Sequence, residues 1–261
     1  INPITGEVRI CDCDNVFPHG ESSGIMGKAR YIAPEVVMCK NLPDSYSDRF
    51  SMALMLFMYF CIDHPFEGRN VVKYPCLTED IERSVFGEDI CFIFDPKNDQ
   101  NRPVANVHGN AIMMWKILPQ GLRDTFIQEF SNSKISNPQH RITEIEWKNI
   151  LMGTRDNLIR CPKCGDEVFV GHTCLGRHCN VVPDAPTAYL KGDGRKIPLV
   201  NRCSITFGDK GIDGLVVANP KDRSMLLLQN ITAESWKVNT LSGKIIEIAP
   251  RGFVPLSLIH I

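Results

Sequence analysis

The apolar residues of this chain follow two rhythms. Up to about residue 152 they come in helix-length blocks. Residues 45–62 predict a helix, with Ser45 or Ser47 as its cap and the apolar run MALMLFMYFCI (52–62) as a body buried all round. Residues 110–118 and 122–130 predict two more helices, flanking Pro119-Gln120-Gly121. Residues 143–151 (TEIEWKNIL) predict another, capped by Thr143 with Glu146 at capping-box spacing. Near the start, Val8-Arg9-Ile10-Cys11 is a short strand candidate that ends on Asp12. Residues 74–106 are turn-rich and polar, which predicts loop with short helical pieces.

Beyond residue 152 the pattern changes twice. Residues 153–184 lose apolar periodicity and become dense in Cys, His and Gly. Residues 185–261 carry short β-branched and apolar runs: SITFG, LVVA, MLLLQNI, SWKV and KIIEIA. Turn residues separate them, as in GDG at 192–194, NPKD at 219–222 and SGK at 242–244. Short strands at roughly ten-residue spacing predict a small antiparallel sandwich or barrel.

Composition narrows the class. Hydrophobic residues make up 43% of the chain and charged residues 23%, so an ordinary core can form. A formal net charge of −1 gives no global bias toward nucleic acid or an anionic membrane as partner. The run 52–62 falls far short of the roughly 20 residues of a membrane span. No basic stretch followed by an apolar region opens the chain, so a secretory signal is not expected. The chain opens on Ile1, and its last six residues, LSLIHI, read like translated adapter sequence; a fragment cut at both ends is the expectation.

Eleven cysteines, unevenly placed, argue against a secreted disulfide scaffold and for a reducing, cytoplasmic setting with one metal cluster. Cys161-Pro-Lys-Cys164-Gly is a metal knuckle, and Cys174 and Cys179 complete a Cys-x2-Cys-x9-Cys-x4-Cys pattern. Four thiolates close a tetrahedral zinc site, with His172 or His178 near enough in sequence to substitute for one of them. Such a site is full and therefore structural: it folds a segment too polar to build a core. Unliganded thiols or a redox pair are the alternatives. The expected organisation is α+β and multidomain: a mainly helical part at 1–152, a zinc ribbon at 153–184 and a β-rich region at 185–261.

Four motifs in the first part resemble, in order, the C-terminal lobe of a protein kinase catalytic domain. Asp12-Cys13-Asp14 matches the metal-binding triplet; alone, an acidic pair at a strand end would be a solvated turn. Gly27 to Glu35, GKARYIAPE, matches the close of the activation segment, with Lys28 where Ser/Thr kinases carry Thr. Tyr46-Ser47-Asp48 and its apolar helix match the central helix of the lobe. His64-Pro65-Phe66-Glu67-Gly68 matches the turn after that helix. The resemblance implies magnesium-ATP as cofactor, held by Asp12 with Asp14 as a second carboxylate, and protein as substrate. It implies that Glu35 pairs with Arg141 (in NPQHRIT) and that Asp48 braces the catalytic loop, these three being structural. The glycine-rich loop, the phosphate-pairing Lys and the catalytic base would precede Ile1, so no catalytic residue is expected here and the fragment alone would be inactive.

More narrowly, the triplet, the HPFEG turn and the cysteine cluster resemble bacterial kinases of tellurite-resistance-type gene clusters, which implies von Willebrand-type and phosphatase partners. The β-rich region weakly resembles a forkhead-associated domain, but Phe207-Gly208-Asp209 lacks the Gly-Arg signature, leaving a degenerate interaction or packing module. The alternative function is a pseudokinase scaffold that recruits partners through the zinc ribbon and β region.

Overall fold

The computed structural model describes residues 2, 6–9, 13–19, 21, 24–176, 179–183, 186, 188–192, 195–205 and 213–258. The chain divides into two compact units, Ile1–Glu146 and Trp147–Ile261. It is mixed α and β: the described part of the first unit is helical, and the strands lie in the second.

In the first unit, helix α1 (Pro34–Val37) follows a 3-10 turn at Ala29–Tyr31 and starts on the proline, whose missing N–H costs nothing at a helix start. Helix α2 (Ser45–Cys61) is the longest element. Its cap is Asp44 rather than either serine: Asp44 Oδ1 accepts the N–H groups of Tyr46 (2.9 Å) and Ser47 (2.8 Å), and Ser47 Oγ accepts the N–H of Asp44 at 2.8 Å. Ser47 is thus the reciprocal partner of a capping box, a role its hydroxyl fills as Glu or Gln does elsewhere. The helix is not buried all round. Phe50, Leu54 and Phe57 are in the core, but Met55 and Tyr59 are 62% and 69% exposed.

Helices α3 (Arg69–Val72) and α4 (Glu79–Arg83) are short, and α4 runs on into a π-helical turn at Ser84–Glu88. Helices α5 (Gly109–Ile117), α6 (Gln120–Glu129) and α7 (Asn132–Ile135) complete the unit. The core is aromatic. Phe57 lies edge-on to Phe126 with ring centroids 5.3 Å apart, and Phe130 meets Phe66 at 5.1 Å and Phe92 at 5.2 Å. Edge-to-face rings at this separation add attraction beyond their buried area. The strand expected at 8–11 does not form at its described residues: Val8 and Arg9 are exposed and pair with no strand.

Helix α8 (Glu144–Asp156) spans the division between the units. Its start follows the expected capping box, with Glu146 N–H donating to Thr143 Oγ1 (3.3 Å) and Thr143 N–H to Glu146 Oε2 (2.7 Å). It runs past the expected end, to Asp156. The second unit then forms small antiparallel sheets. Strands β1 (Leu158–Arg160) and β2 (Glu167–Phe169) make one hairpin, and β3 (Ala188–Gly192) and β4 (Arg195–Leu199) another. Strands β5 (Ser204–Ile205), β6 (Gly214–Ala218), β7 (Leu226–Asn230) and β10 (Phe253–Pro255) form a four-stranded sheet in the order β10-β7-β6-β5. Strands β8 (Trp236–Asn239) and β9 (Ile245–Ile248) make a third hairpin. The inward residues of these sheets, Ile159, Val168, Leu190, Ile197, Val216 and Leu228 among them, share one apolar core with Cys161, Cys174, Cys179 and Cys203. The cysteine-rich and β-rich segments are therefore packed as one body.

Candidate metal centre

The β1–β2 hairpin builds the first half of the centre. Its register, Ile159 opposite Val168 and Arg160 opposite Glu167, brings Cys161 to the end of β1 and leaves 161–166 to turn back. Gly165, at φ +81°, takes the left-handed conformation the turn needs. The turn is closed by Cys161 N–H donating to Asp166 O (2.8 Å) and Gly165 N–H to Cys161 O (2.9 Å). The second half comes from the loop after β2, where Cys174 N–H donates to Val181 O (2.8 Å) and Cys179 N–H to Gly176 O (3.0 Å).

The four sulfurs converge. Every pair lies within 4.8 Å, with Cys161 Sγ 3.4 Å from Cys179 Sγ and Cys164 Sγ 3.4 Å from Cys174 Sγ. Four thiolates around zinc at about 2.3 Å span edges of about 3.8 Å, so these donors suit a metal such as zinc in number, softness and spacing. Three of the cysteines are buried and Cys164 is exposed. Gly176 fits against the cluster because it has no side chain: a Cβ there would stand 2.7 Å from Cys164 Sγ and 2.3 Å from Asp166 Oδ2.

Electrostatics separate this cluster from the other buried thiols. Burial pushes Cys61 up to about 12 and Cys203 up to about 11, as expected of inert core cysteines. Cys161 moves down, to about 6, because the backbone N–H groups of Cys164 and Lys163 point at its sulfur. The backbone N–H of Asp166 favours the Cys164 thiolate too, but loss of solvent and the adjacent sulfurs prevail and push it up to about 12. Four thiols held this close cannot all ionise unless a cation is shared among them. His172 lies outside the group of four, its ring packing near Phe169 at 6.4 Å between centroids, and His178 lies outside the described residues. Among the described residues, the group that could hold a metal is therefore the four cysteines.

The remaining candidate residues lie in the first unit. Asp12 is outside the described residues. Asp14 sits in an exposed 3-10 turn, Cys13–Asn15, and belongs to no cluster of metal-binding side chains among the described residues. Glu35 and Arg141 are brought together by α1 and the turn before α8: Arg141 Nη1 and Nη2 donate to Glu35 Oε1 and Oε2 at 2.7 and 2.8 Å. Arg141 Nη1 also donates to Tyr46 O (3.0 Å), and its guanidinium lies 5.2 Å from the centre of the Phe50 ring. Asp48 is exposed on the first turn of α2, and its side chain makes no hydrogen bond among the described residues. Burial chiefly, and then the charges of Asp44 and Glu144, raise its carboxyl above the usual range.

Sequence reasoning missed a second linkage. Arg30 pairs through two nitrogens with Glu67, and buried His64 donates Nε2–H to Arg30 O at 2.8 Å while its Nδ1 accepts the N–H of Phe66. The only signal for it is that GKARYIAPE and HPFEG each carry one half of an ion pair. Among the described residues no helix is long and apolar enough to cross a membrane. No family model, curated protein or solved structure matches this chain.

Proposed function

We propose that the first unit is the C-terminal lobe of a protein kinase catalytic domain and that the chain is a piece of an ATP-dependent kinase acting on protein. The observation that carries this reading is the fork-to-fork contact of Arg141 with Glu35, which ties the Ala-Pro-Glu segment to the start of α2 through Tyr46 O. The Arg30–Glu67 pair adds support, because it fastens the end of the same segment to the turn after α2. Asp12 would hold magnesium against the phosphates of ATP, with Asp14 as a second carboxylate. The glycine-rich loop, the phosphate-pairing Lys and the catalytic base belong, in this reading, outside these 261 residues. The zinc-type knuckle is structural, because its four sulfurs leave no open position for chemistry.

A scaffold without catalysis is the second reading, favoured by exposed Cys13 and Asp14 where a kinase triplet carries Phe and Gly. Phosphoryl transfer from magnesium-ATP decides between them. The 261-residue chain alone should transfer none. Joined to its upstream coding sequence it should phosphorylate itself or a protein substrate, and Asp12→Asn should abolish that while melting and zinc content hold. An inactive longer protein supports the scaffold, and full activity with Asp12→Asn removes Asp12 from the metal site.

A further inference from the structure

The chain's net charge of −1 averages two unequal units. Residues 147–261 hold 15 Lys and Arg against 10 Asp and Glu, so the second unit is basic and the first correspondingly acidic. The lack of a charge bias toward nucleic acid, read from the whole chain, therefore does not extend to the second unit. Among the described residues, one basic face is the outward side of the β3–β4 hairpin. Leu190, Ile197 and Leu199 turn into the core, which leaves Tyr189, Lys191 and Lys196 on the exposed side. Lys191 stands directly opposite Lys196 in the register, and like charges so placed repel. No carboxylate pairs with either lysine among the described residues. Lys196 Nζ lies 4.0 Å from the centre of the Tyr189 ring, so the ammonium and the ring are held together.

We infer that this face binds single-stranded nucleic acid, the Tyr189 ring taking a base and Lys191 and Lys196 taking successive phosphates. A ring and a cation about 6.8 Å apart at the two-residue repeat of β3, with a second cation across the ladder on β4, suit an extended polyanion whose bases are free to stack. The two lysines and the ring lie on one face of a two-stranded ribbon, which favours a strand of phosphodiesters over a single phosphorylated side chain. Bound phosphates would remove the Lys191–Lys196 repulsion. Because it stands on the second unit alone, the inference is independent of the kinase reading.

The test uses the full chain loaded with zinc, and fluorescein-labelled dT20 in a salt titration followed by anisotropy. Substituting Lys191→Gln with Lys196→Gln should weaken binding at low salt at least tenfold and make the log–log salt slope shallower by about 1.4, the value for two single-strand phosphate contacts. Tyr189→Leu should weaken it about fivefold or more through lost stacking. A control with the same charge change elsewhere, Lys221→Gln with Lys244→Gln, should change affinity less than twofold. Zinc content and far-ultraviolet circular dichroism check that each variant folds. Equal losses in the two double variants would reduce the effect to bulk charge and overturn the proposal. So would undetectable dT20 binding, or tighter binding of a degenerate phosphoserine peptide library than of dT20.

Discussion

Arg141 holds both carboxylate oxygens of Glu35, at 2.7 and 2.8 Å, across 106 positions of sequence, with side-chain exposures of 1% and 13%. Its remaining contacts explain why the pair survives burial. One Nη atom also donates to Tyr46 O and the guanidinium plane covers Phe50, so much of the lost hydration is replaced by hydrogen bonds and ring contact.

Truncating either partner should therefore be costly. Arg141→Ala or Glu35→Ala should each destabilise the first unit by about 3–5 kcal/mol, because an uncompensated buried charge remains. Removing both with Glu35→Ala and Arg141→Met should cost less than the two single losses added, the mark of direct coupling. Urea unfolding read by Trp115 fluorescence measures this, with Trp147 and Trp236 replaced by Phe to silence the second unit. Single losses under about 1 kcal/mol would leave the pair as decoration.

His64 sets a pH dependence. Burial holds its imidazole down to about 4, and the hydrogen bond to Arg30 O with the neighbouring Glu67 charge only partly offsets this. An unfolded histidine titrates near 6.5, so the unfolded chain binds more protons between about pH 6.5 and 4. Stability from this group is complete above pH 6.5 and falls as the pH drops to about 4, by roughly 3 kcal/mol in all. His64→Gln should flatten that part of the pH–stability curve. A curve of unchanged slope would show that other groups carry it.

Metal removal should act on one unit only. Three of the four cluster cysteines lie in the apolar core of the second unit, so a strong chelator should lower the melting of Trp147–Ile261 and spare the aromatic core of the first. One equivalent of zinc should bind per chain with release of protons, since Cys164 and Cys174 are held protonated in the free site. Gly176→Ala should weaken zinc at least tenfold, because its Cβ would stand 2.7 Å from Cys164 Sγ. Substoichiometric zinc in freshly purified protein that cannot be restored would refute the site.

The parts of this fold legible in the sequence are those where one local pattern does the specifying. The Cys-x2-Cys-Gly knuckle fixes its own turn, and the four cysteines do converge. The α8 capping box and the runs of β6 to β9 were equally plain, since each depends on residues three or two apart. What escaped was decided by competition between neighbouring residues or by which face the fold covers. Asp44 displaced Ser45 and Ser47 as a cap because a carboxylate can take two N–H groups at once. The β3–β4 hairpin was missed because its alternation of Leu190 and Ile197 with Tyr189 and the lysines lies beside Pro and Gly that read as loop. Met55 and Tyr59 were placed inside because an unbroken apolar run carries no sign of which face is covered.

Asn101 is the sharpest case of a long-range role hidden in a polar segment. In 74–106, read as loop, it is only 2% exposed. Its Nδ2 donates to Phe66 O (2.8 Å) and Cys91 O (2.7 Å), and its Oδ1 accepts the N–H of Asn70 at 3.0 Å, so one amide joins three backbone segments. Asn101→Ala strands two buried carbonyls and one N–H and should cost roughly 2–4 kcal/mol. Asn101→Asp should be worse near neutral pH, because it sets a carboxylate against two carbonyl oxygens. The sign of its pH dependence is then fixed: protonation restores one donor, so that variant should gain stability relative to wild type as the pH falls below about 6. Urea midpoints for both variants at pH 7.5 and pH 5 provide the check. An Asn101→Asp variant that weakens further on acidification, relative to wild type, would show that the amide is not the donor to Phe66 and Cys91.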